Sequence, residues 1–327
     1  MASISEWVEG ARLRTLPASI APVVAGAAEA WFLPSITSLH ADPSGAMTSR
    51  SLVLPLLQTI GCLLVALALQ IGSNFANDYS DGIRGTDADR VGPMRLVGSG
   101  AASPRQVKLA AFASFGVAAL IGLLLVISSG HWWLLIAGAA CVAAAWFYTG
   151  GPKPYGYAGL GEVFVFVFFG LVATMGTVYV VAGRVTIVSL LLGVAMGALA
   201  TAILVANNLR DIDTDRASGK RTLMTRLGDR RSRLLYVALV VLGAFCLVVA
   251  VIVAFLHPLP GASLPWLPLL GLLGLLGWIL LIRPCQRVLS GLSGFPLVGV
   301  LKRTGQAELL AAVGLALGWL IAFFLAR

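Results

Sequence analysis

Half of the 14 acidic residues in this 327-residue chain fall into two short stretches. The first is "NFANDYSDGIRGTD", Asn74 to Asp87, with Asp89 two residues further on. The second is "NNLRDIDTDRASGKRTL", which opens at Asn207 and carries Asp211, Asp213 and Asp215. Positions i, i+3 and i+4 share one helix face, so Asn74, Asp78 and Asp81 form one polar stripe and Asn207, Asp211 and Asp215 another. Asp87 lies beyond the Gly-containing bend "DGIRG" and can fold back. Oxygen ligands in such stripes suit Mg²⁺, which is held by one or two carboxylates together with substrate phosphates. Two facing stripes suit two ions with a diphosphate between them.

The neighbouring cations fit the same chemistry. Arg84 follows the first stripe, Lys220 and Arg221 follow the second, and Lys153 sits in "YTGGPKPYGYAGLGE". Lys and Arg are natural partners of phosphate. No GxxxxGK[ST] pattern occurs, which disfavours nucleotide hydrolysis. A single acidic patch is most simply a solvated turn, because Asp and Gly favour turns. Two patches with matching Asn-x3-Asp openings shift the balance to function, since carboxylates at the edge of a membrane are costly. Loss of an allylic diphosphate leaves a cation that aromatic faces stabilise. Tyr79, Trp146, Tyr148, Tyr155 and Phe164 are candidates, against the simpler role of interfacial or lipid-facing rings.

These residues need a scaffold, and the composition says which kind. Apolar residues make up 58% of the chain and charged residues 11%, whereas soluble domains carry about 25% charged residues. Spanning a bilayer takes about 20 mostly apolar residues. Nine such segments centre near Val24, Leu64, Val117, Ala140, Gly170, Gly193, Leu242, Leu275 and Leu317. The expected fold is therefore all-α, a multi-pass membrane protein of nine transmembrane helices. With nine spans, every Lys and Arg except Arg50, Arg184 and Arg327 falls on one side, together with the N-terminus. The positive-inside rule makes that side, and both acidic patches, cytoplasmic. The same asymmetry absorbs most of the net charge of +9, so nucleic acid is not needed as a partner. The small-residue run "AGAAEA" resembles a cleavage site, but the apolar run before it reads better as an uncleaved first helix. Four dispersed cysteines and three dispersed histidines give no disulfide framework and no His-ligated metal site.

The patches are four spans and 133 residues apart, counted from Asp78 to Asp211. This predicts a single domain over residues 1–327 with a weak internal repeat. Its units are two four-helix sets, roughly 15–150 and 158–285, and a ninth helix at roughly 306–326.

"NDYSDGIRGTD" and "DIDTD" resemble the two aspartate-rich motifs of the UbiA superfamily of intramembrane prenyltransferases, and the resemblance covers essentially the whole chain. "ARLRTLPASIAPVVAG" and "YTGGPKPYGYAGLGE" are similar to the branch that prenylates 1,4-dihydroxy-2-naphthoate in menaquinone synthesis. The resemblance implies that Asp78 and Asp81, with Asn74 nearby, hold one Mg²⁺, and that Asp211 and Asp215 hold the other, with Asn74 and Asn207 counted among the substrate-binding residues. Arg84, Lys153 and Lys220 would contact the diphosphate, with Tyr148 among the substrate-binding residues. The third acidic position stands six residues after Asp81, at Asp87, and departs from the common NDxxDxxxD spacing; its contact is left open. Asp213 lies between the two ligands and is expected to point elsewhere. Arg14 serves the acceptor or, more simply, anchors the first helix by snorkelling. Glu162 is a candidate base, or more simply a helix N-terminal carboxylate.

The implied reaction joins a polyprenyl chain to dihydroxynaphthoate with loss of CO₂ and diphosphate, giving demethylmenaquinone. The implied partners are the polyprenyl diphosphate, the naphthoate and the bilayer, with no obligatory protein partner. Other aromatic or phosphoribosyl acceptors are the alternative within the superfamily. A cation-coupled transporter is the alternative from another class, but its sites are expected near mid-bilayer. A CDP-alcohol phosphotransferase would need a DG…AR…G…D…D order that is not present.

Overall fold

The computed structural model describes residues 2–33, 39–41, 47–49, 52–85, 94–257 and 264–325. The described chain is a helical bundle with one small antiparallel ribbon. In chain order the elements are α1 (Ile4–Gly10), α2 (Pro17–Phe32), strands β1 (Leu39–Ala41) and β2 (Met47–Ser49), α3 (Val53–Ile83), α4 (Pro104–Ser129) and α5 (Leu134–Phe147). There follow α6 (Gly161–Ala182), α7 (Ile187–Arg210), α8 (Ile212–Ala217), α9 (Leu223–Leu227), α10 (Asp229–Leu256), α11 (Leu267–Ile279), α12 (Ile282–Leu289) and α13 (Leu297–Leu325).

All nine predicted span centres fall on helices, but the count of nine spanning helices is not reached among the described residues. Six helices are long and apolar enough to cross a membrane: α3, α4, α6, α7, α10 and α13. The α11–α12 pair, bent by 43°, makes a seventh if it is one span. Helices α2 and α5 have only 16 and 14 residues. At 1.5 Å per residue that is about 24 and 21 Å, short of a hydrocarbon core of about 30 Å. Apolar composition alone did not reveal where these helices stop.

The two halves of the bundle pack differently. Helices α2, α7, α10, α11 and α13 enclose the largest core, where Leu192, Met196 and Leu247 are fully buried and Phe32 stacks on Trp319 at 5.1 Å. In the other half α3 packs along α4, while α5 buries none of its residues. Instead α5 forms one wall of an apolar cavity of about 860 Å³ between α2, α3, α4, α5 and α6.

Candidate functional site

The first stripe forms as predicted. Asn74, Asp78 and Asp81 lie on one buried face near the end of α3, with 4%, 0% and 4% exposure. Each is tied down differently. The Asn74 amide donates to Ala11 O (2.9 Å) and Thr15 Oγ1 (3.0 Å), fastening α3 to the chain entering α2. Asp78 accepts the backbone N–H of Leu96 at 2.8 Å and of Val97 at 3.1 Å. Asp81 faces Arg95 at 3.3 Å and Lys220 at 3.8 Å, and accepts a short hydrogen bond from Tyr157. Asp87 lies outside the described residues.

The second stripe is interrupted. Helix α7 ends at Arg210, and Asp211, at φ −98° and ψ 11°, is the non-helical joint between it and α8. The hydrogen bonds from Asp211 N to Asn207 O (3.3 Å) and from Asp215 N to Asp211 O (2.8 Å) still carry the i, i+4 spacing through the break. Arg210 clamps Asp211 with both Nε (2.6 Å) and a terminal nitrogen (2.5 Å), and also donates to Asn207 at 3.0 Å. Asp215 is buried, whereas the Asp213 side chain is 92% exposed and pairs only loosely with Arg216, as expected of a residue facing away. Gly219, at φ 76°, reverses the chain, and Lys220 N then donates to Asp215 O at 2.9 Å. A side chain is strained at that φ. This reversal carries the Lys220 ammonium to Asp81, so the two patches share one end of the bundle.

A third segment links them. Residues 148–160 run between α5 and α6 and are held by donors from the first patch and from the second patch and the helix after it. Arg84 donates to Thr149 O and Gly151 O, each at 2.5 Å, while Arg226 donates to Ala158 O at 2.9 Å and Arg221 N to Tyr157 O at 3.1 Å. The Tyr157 ring lies under Lys220 Nζ at 4.7 Å and Arg84 Cζ at 5.5 Å. Burial, reinforced by the Asp81 charge, pushes the Tyr157 phenol well above its ordinary range. It therefore stays a donor. The Tyr148 phenol is pushed up by burial and then by Glu162, Tyr155, Asp81 and Asp215, so it feels carboxylates of both patches.

Not every predicted residue joins this cluster. Arg14 and Lys153 are exposed and make no hydrogen bond or ion pair with a described residue. Glu162 accepts from Asn208 at 2.8 Å, and Tyr148 packs against its neighbour Gly161. Arg95 and Tyr157, absent from the predicted site, are both central to it.

The donors around the cluster are oxygens, which suits a hard cation such as Mg²⁺. Among the described residues no three His, Cys, Asp or Glu side chains gather closely enough to hold an ion by themselves. Asp78 fits least well, because its two oxygens already serve backbone amides.

The apolar cavity starts beside this cluster. Asn74, Asn77 and Tyr148 line its polar end, and Val126 and Val180 its far end. Phe164, Phe168, Val172, Gly176 and Val180 all line it at four-residue intervals along α6. An α-helix would turn that row away by about 40° per step. The π-helical turns at Phe166–Val172 oppose the drift and keep the row facing the cavity. Gly170 sits where α6 meets Gly193 and Gly197 of α7 backbone to backbone. Tyr155 stacks on Phe164 at 4.0 Å and meets Tyr148 edge-on at 5.5 Å, so an aromatic wall stands between the charged cluster and the apolar space.

Comparison with known proteins agrees with this architecture. The model of the UbiA prenyltransferase family matches residues 43–290. The chain is 50% identical over 317 residues to a 1,4-dihydroxy-2-naphthoate octaprenyltransferase of Mycobacterium tuberculosis, covering 97% of each. It is 35% identical to the Escherichia coli protein of that name, covering 95% of this chain and 94% of the relative. Among solved structures, a UbiA homologue from Aeropyrum pernix superposes with a TM-score of 0.64 at 14% identity, over 98% of this chain and 99% of that one. A homologue from Archaeoglobus fulgidus bound to GPP and Mg²⁺ superposes with a TM-score of 0.62 at 14% identity, over 97% and 99%. With a family model matched over most of its length and relatives of this similarity along nearly all of it, the chain belongs to the UbiA prenyltransferase family.

Proposed function

We propose that this protein transfers a polyprenyl chain from its diphosphate to 1,4-dihydroxy-2-naphthoate, releasing diphosphate and CO₂ and leaving demethylmenaquinone in its reduced, quinol form in the bilayer. The observation that carries the reading is the joining of a charged cluster to an apolar cavity. Lys220 of the second patch reaches Asp81 of the first, and one and two helical turns away Asn77 and Asn74 open onto the cavity. A polyprenyl diphosphate has that polarity, with a charged head and a long apolar tail. The names of the relatives support the naphthoate acceptor.

In this reading Asp81, Asp211 and Asp215 hold Mg²⁺ as two ions, with Asn207 and Asp78 at the edge of the set and Asp87 a further candidate. The metal, when bound, supplies positive charge against the diphosphate as it leaves. Lys220 and Arg84 bind the phosphate oxygens, and Lys153 meets them from the exposed side of the 148–160 segment. The carbon–oxygen bond of the prenyl ester breaks with its electron pair going to diphosphate. Tyr148, Tyr155 and Phe164 present ring faces to the allylic carbon at that moment and exclude water from it. The naphthoate ring carbon bearing the carboxylate forms the new carbon–carbon bond. The bond to CO₂ then breaks and returns its pair to the ring. The sequence balances without an external proton. Both patches, and the N-terminus, face the cytoplasm in this reading, and the two four-helix units form one domain with the patches at equivalent helix ends.

The test is product identification by mass spectrometry, using purified protein, Mg²⁺, dihydroxynaphthoate and a polyprenyl diphosphate. The expected product has the mass of the prenylated quinol without the carboxylate. A product that keeps the carboxylate, or turnover only with a different acceptor, overturns the assignment.

A further inference from the structure

We infer that Tyr157 is a positioning residue of the diphosphate site, orienting Asp81 through its hydroxyl and holding Lys220 beside it with its ring. The inference rests on the proposed reading of the cluster as a metal-diphosphate site. Tyr157 lies in "PYGYAGLGE", far in sequence from both aspartate patches, yet it touches each of them. Its hydroxyl donates to Asp81 Oδ1, the same oxygen that faces Lys220. Its ring lies 4.7 Å below the Lys220 ammonium and 5.5 Å from the Arg84 guanidinium. Its carbonyl accepts from Arg221 N at 3.1 Å, so its backbone is pinned to the second patch while its side chain reaches the first.

Two consequences follow from this placement. A carboxylate on a helix end rotates about its last torsion, and a donor fixed on Oδ1 sets that rotation. Oδ2 is then presented to Arg95, and to a cation that takes a place beside it. Partners of this kind, one shell out from a metal, set both its affinity and the orientation of its ligands. The ring gives the second consequence. An ammonium over an aromatic face is attracted at either of two neighbouring positions. Lys220 can leave Asp81 for a phosphate oxygen without leaving Tyr157, so the ring keeps the cation local while it changes partners.

The experiment separates hydroxyl from ring. Mn²⁺ binding to the purified protein is followed by electron paramagnetic resonance in the presence of inorganic pyrophosphate, for the native chain, Tyr157→Phe and Tyr157→Leu. Steady-state KM values for prenyl diphosphate and for dihydroxynaphthoate are measured alongside. Tyr157→Phe keeps the ring and is expected to weaken Mn²⁺ binding about tenfold, the usual cost of removing an outer-shell partner, with the dihydroxynaphthoate KM unchanged. Tyr157→Leu is expected to show the same metal defect and, in addition, a raised KM for prenyl diphosphate, which Tyr157→Phe restores. Native Mn²⁺ affinity in Tyr157→Phe overturns the inference and leaves the functional reading standing. A native protein that binds no Mn²⁺ with pyrophosphate overturns the functional reading and this inference with it.

Discussion

Asp78 Oδ2 accepts the backbone N–H of Leu96 at 2.8 Å, joining the buried end of α3 to the turn that leads into α4. Oδ1 takes the next amide, Val97 N, at 3.1 Å. A residue expected as a metal ligand is therefore also the fastening of a loop. Asp78→Ala leaves two amides without their acceptor, at about 1–3 kcal/mol for each that stays buried. The prediction is lost turnover together with a lower unfolding temperature in detergent. Asp211→Ala is expected to lose turnover with a smaller thermal shift than Asp78→Ala, because Asp211 is less buried. Equal thermal shifts in the two variants would refute the distinction.

Lys220 and Lys153 were expected to share one role, and the structure separates them. The Lys220 side chain is 14% exposed and stands 3.8 Å from Asp81, whereas Lys153 is exposed. A partly buried charge acts through less water and is screened less. Lys220→Ala is expected to raise the KM for prenyl diphosphate about tenfold or more, by loss of a charge-assisted contact. Lys153→Ala is expected to change it several-fold less. Initial rates across a prenyl diphosphate series decide the order, and the reverse ranking would move the phosphate to the outer face of the 148–160 segment.

What the sequence made legible follows the range of each interaction. The Asn74, Asp78, Asp81 stripe needs only the helix repeat, and it forms. The outward turn of Asp213 and the retained spacing of Asn207, Asp211 and Asp215 have the same local origin. The partners of those residues were hidden because they come from far along the chain. Leu96 and Val97 reach Asp78 only after the chain folds back, and Tyr157 meets Asp81 across 76 residues. Neither periodicity nor charge spacing contains that information. The shortness of α2 and α5 was hidden for another reason: apolar residues flank both ends of each helix, Leu16 and Leu33 for α2 and Trp132, Trp133 and Tyr148 for α5, so the apolar run is longer than the helix.

Glu308 is fully buried in α13, and neither carboxylate oxygen finds a hydrogen-bond partner among the described residues. A buried carboxyl group without partners costs stability whichever protonation state it adopts. Glu308→Met, similar in volume and without the polar atoms, is expected to raise the unfolding temperature. A lower unfolding temperature would mean that the carboxyl contributes favourably to the bundle.

The contact of α6 with α7 allows no side chain at Gly170. A methyl group there would fall onto the Gly197 backbone and within 2.5 Å of Gly193 O. Gly170→Ala is expected to cost about 1–3 kcal/mol by overpacking, read as a lower unfolding temperature. Gly116→Ala in α4 is the control, because nothing lies within 4 Å of the added carbon and the loss of backbone freedom favours the variant by about 0.5–1 kcal/mol. Comparable changes in both variants would show that the backbone contact with α7 does not set the cost at Gly170.

The cavity makes a graded prediction about tail length. Its polar end lies beside Asn77 and Tyr148, and its lining on α4 runs from Phe112 to Val126. Gly122 is 10 residues beyond Phe112, about 15 Å along the helix at 1.5 Å per residue. It lines the cavity, with nothing within 4 Å of an added Cβ, so a larger side chain enters open space rather than protein. Gly122→Phe should therefore fold and obstruct only the deep part. A diphosphate with one or two isoprene units ends before the obstruction and is expected to keep its kcat/KM. A diphosphate with eight units must pass it, and its kcat/KM is expected to fall about tenfold or more, since loss of even a few buried methylenes at about 0.8 kcal/mol each reaches that size. Competition between short and long diphosphates in one reaction, read from product masses, gives the ratio directly. An unchanged ratio would mean that the tail leaves the charged cluster by another path, between the helices and into lipid, before it reaches Gly122.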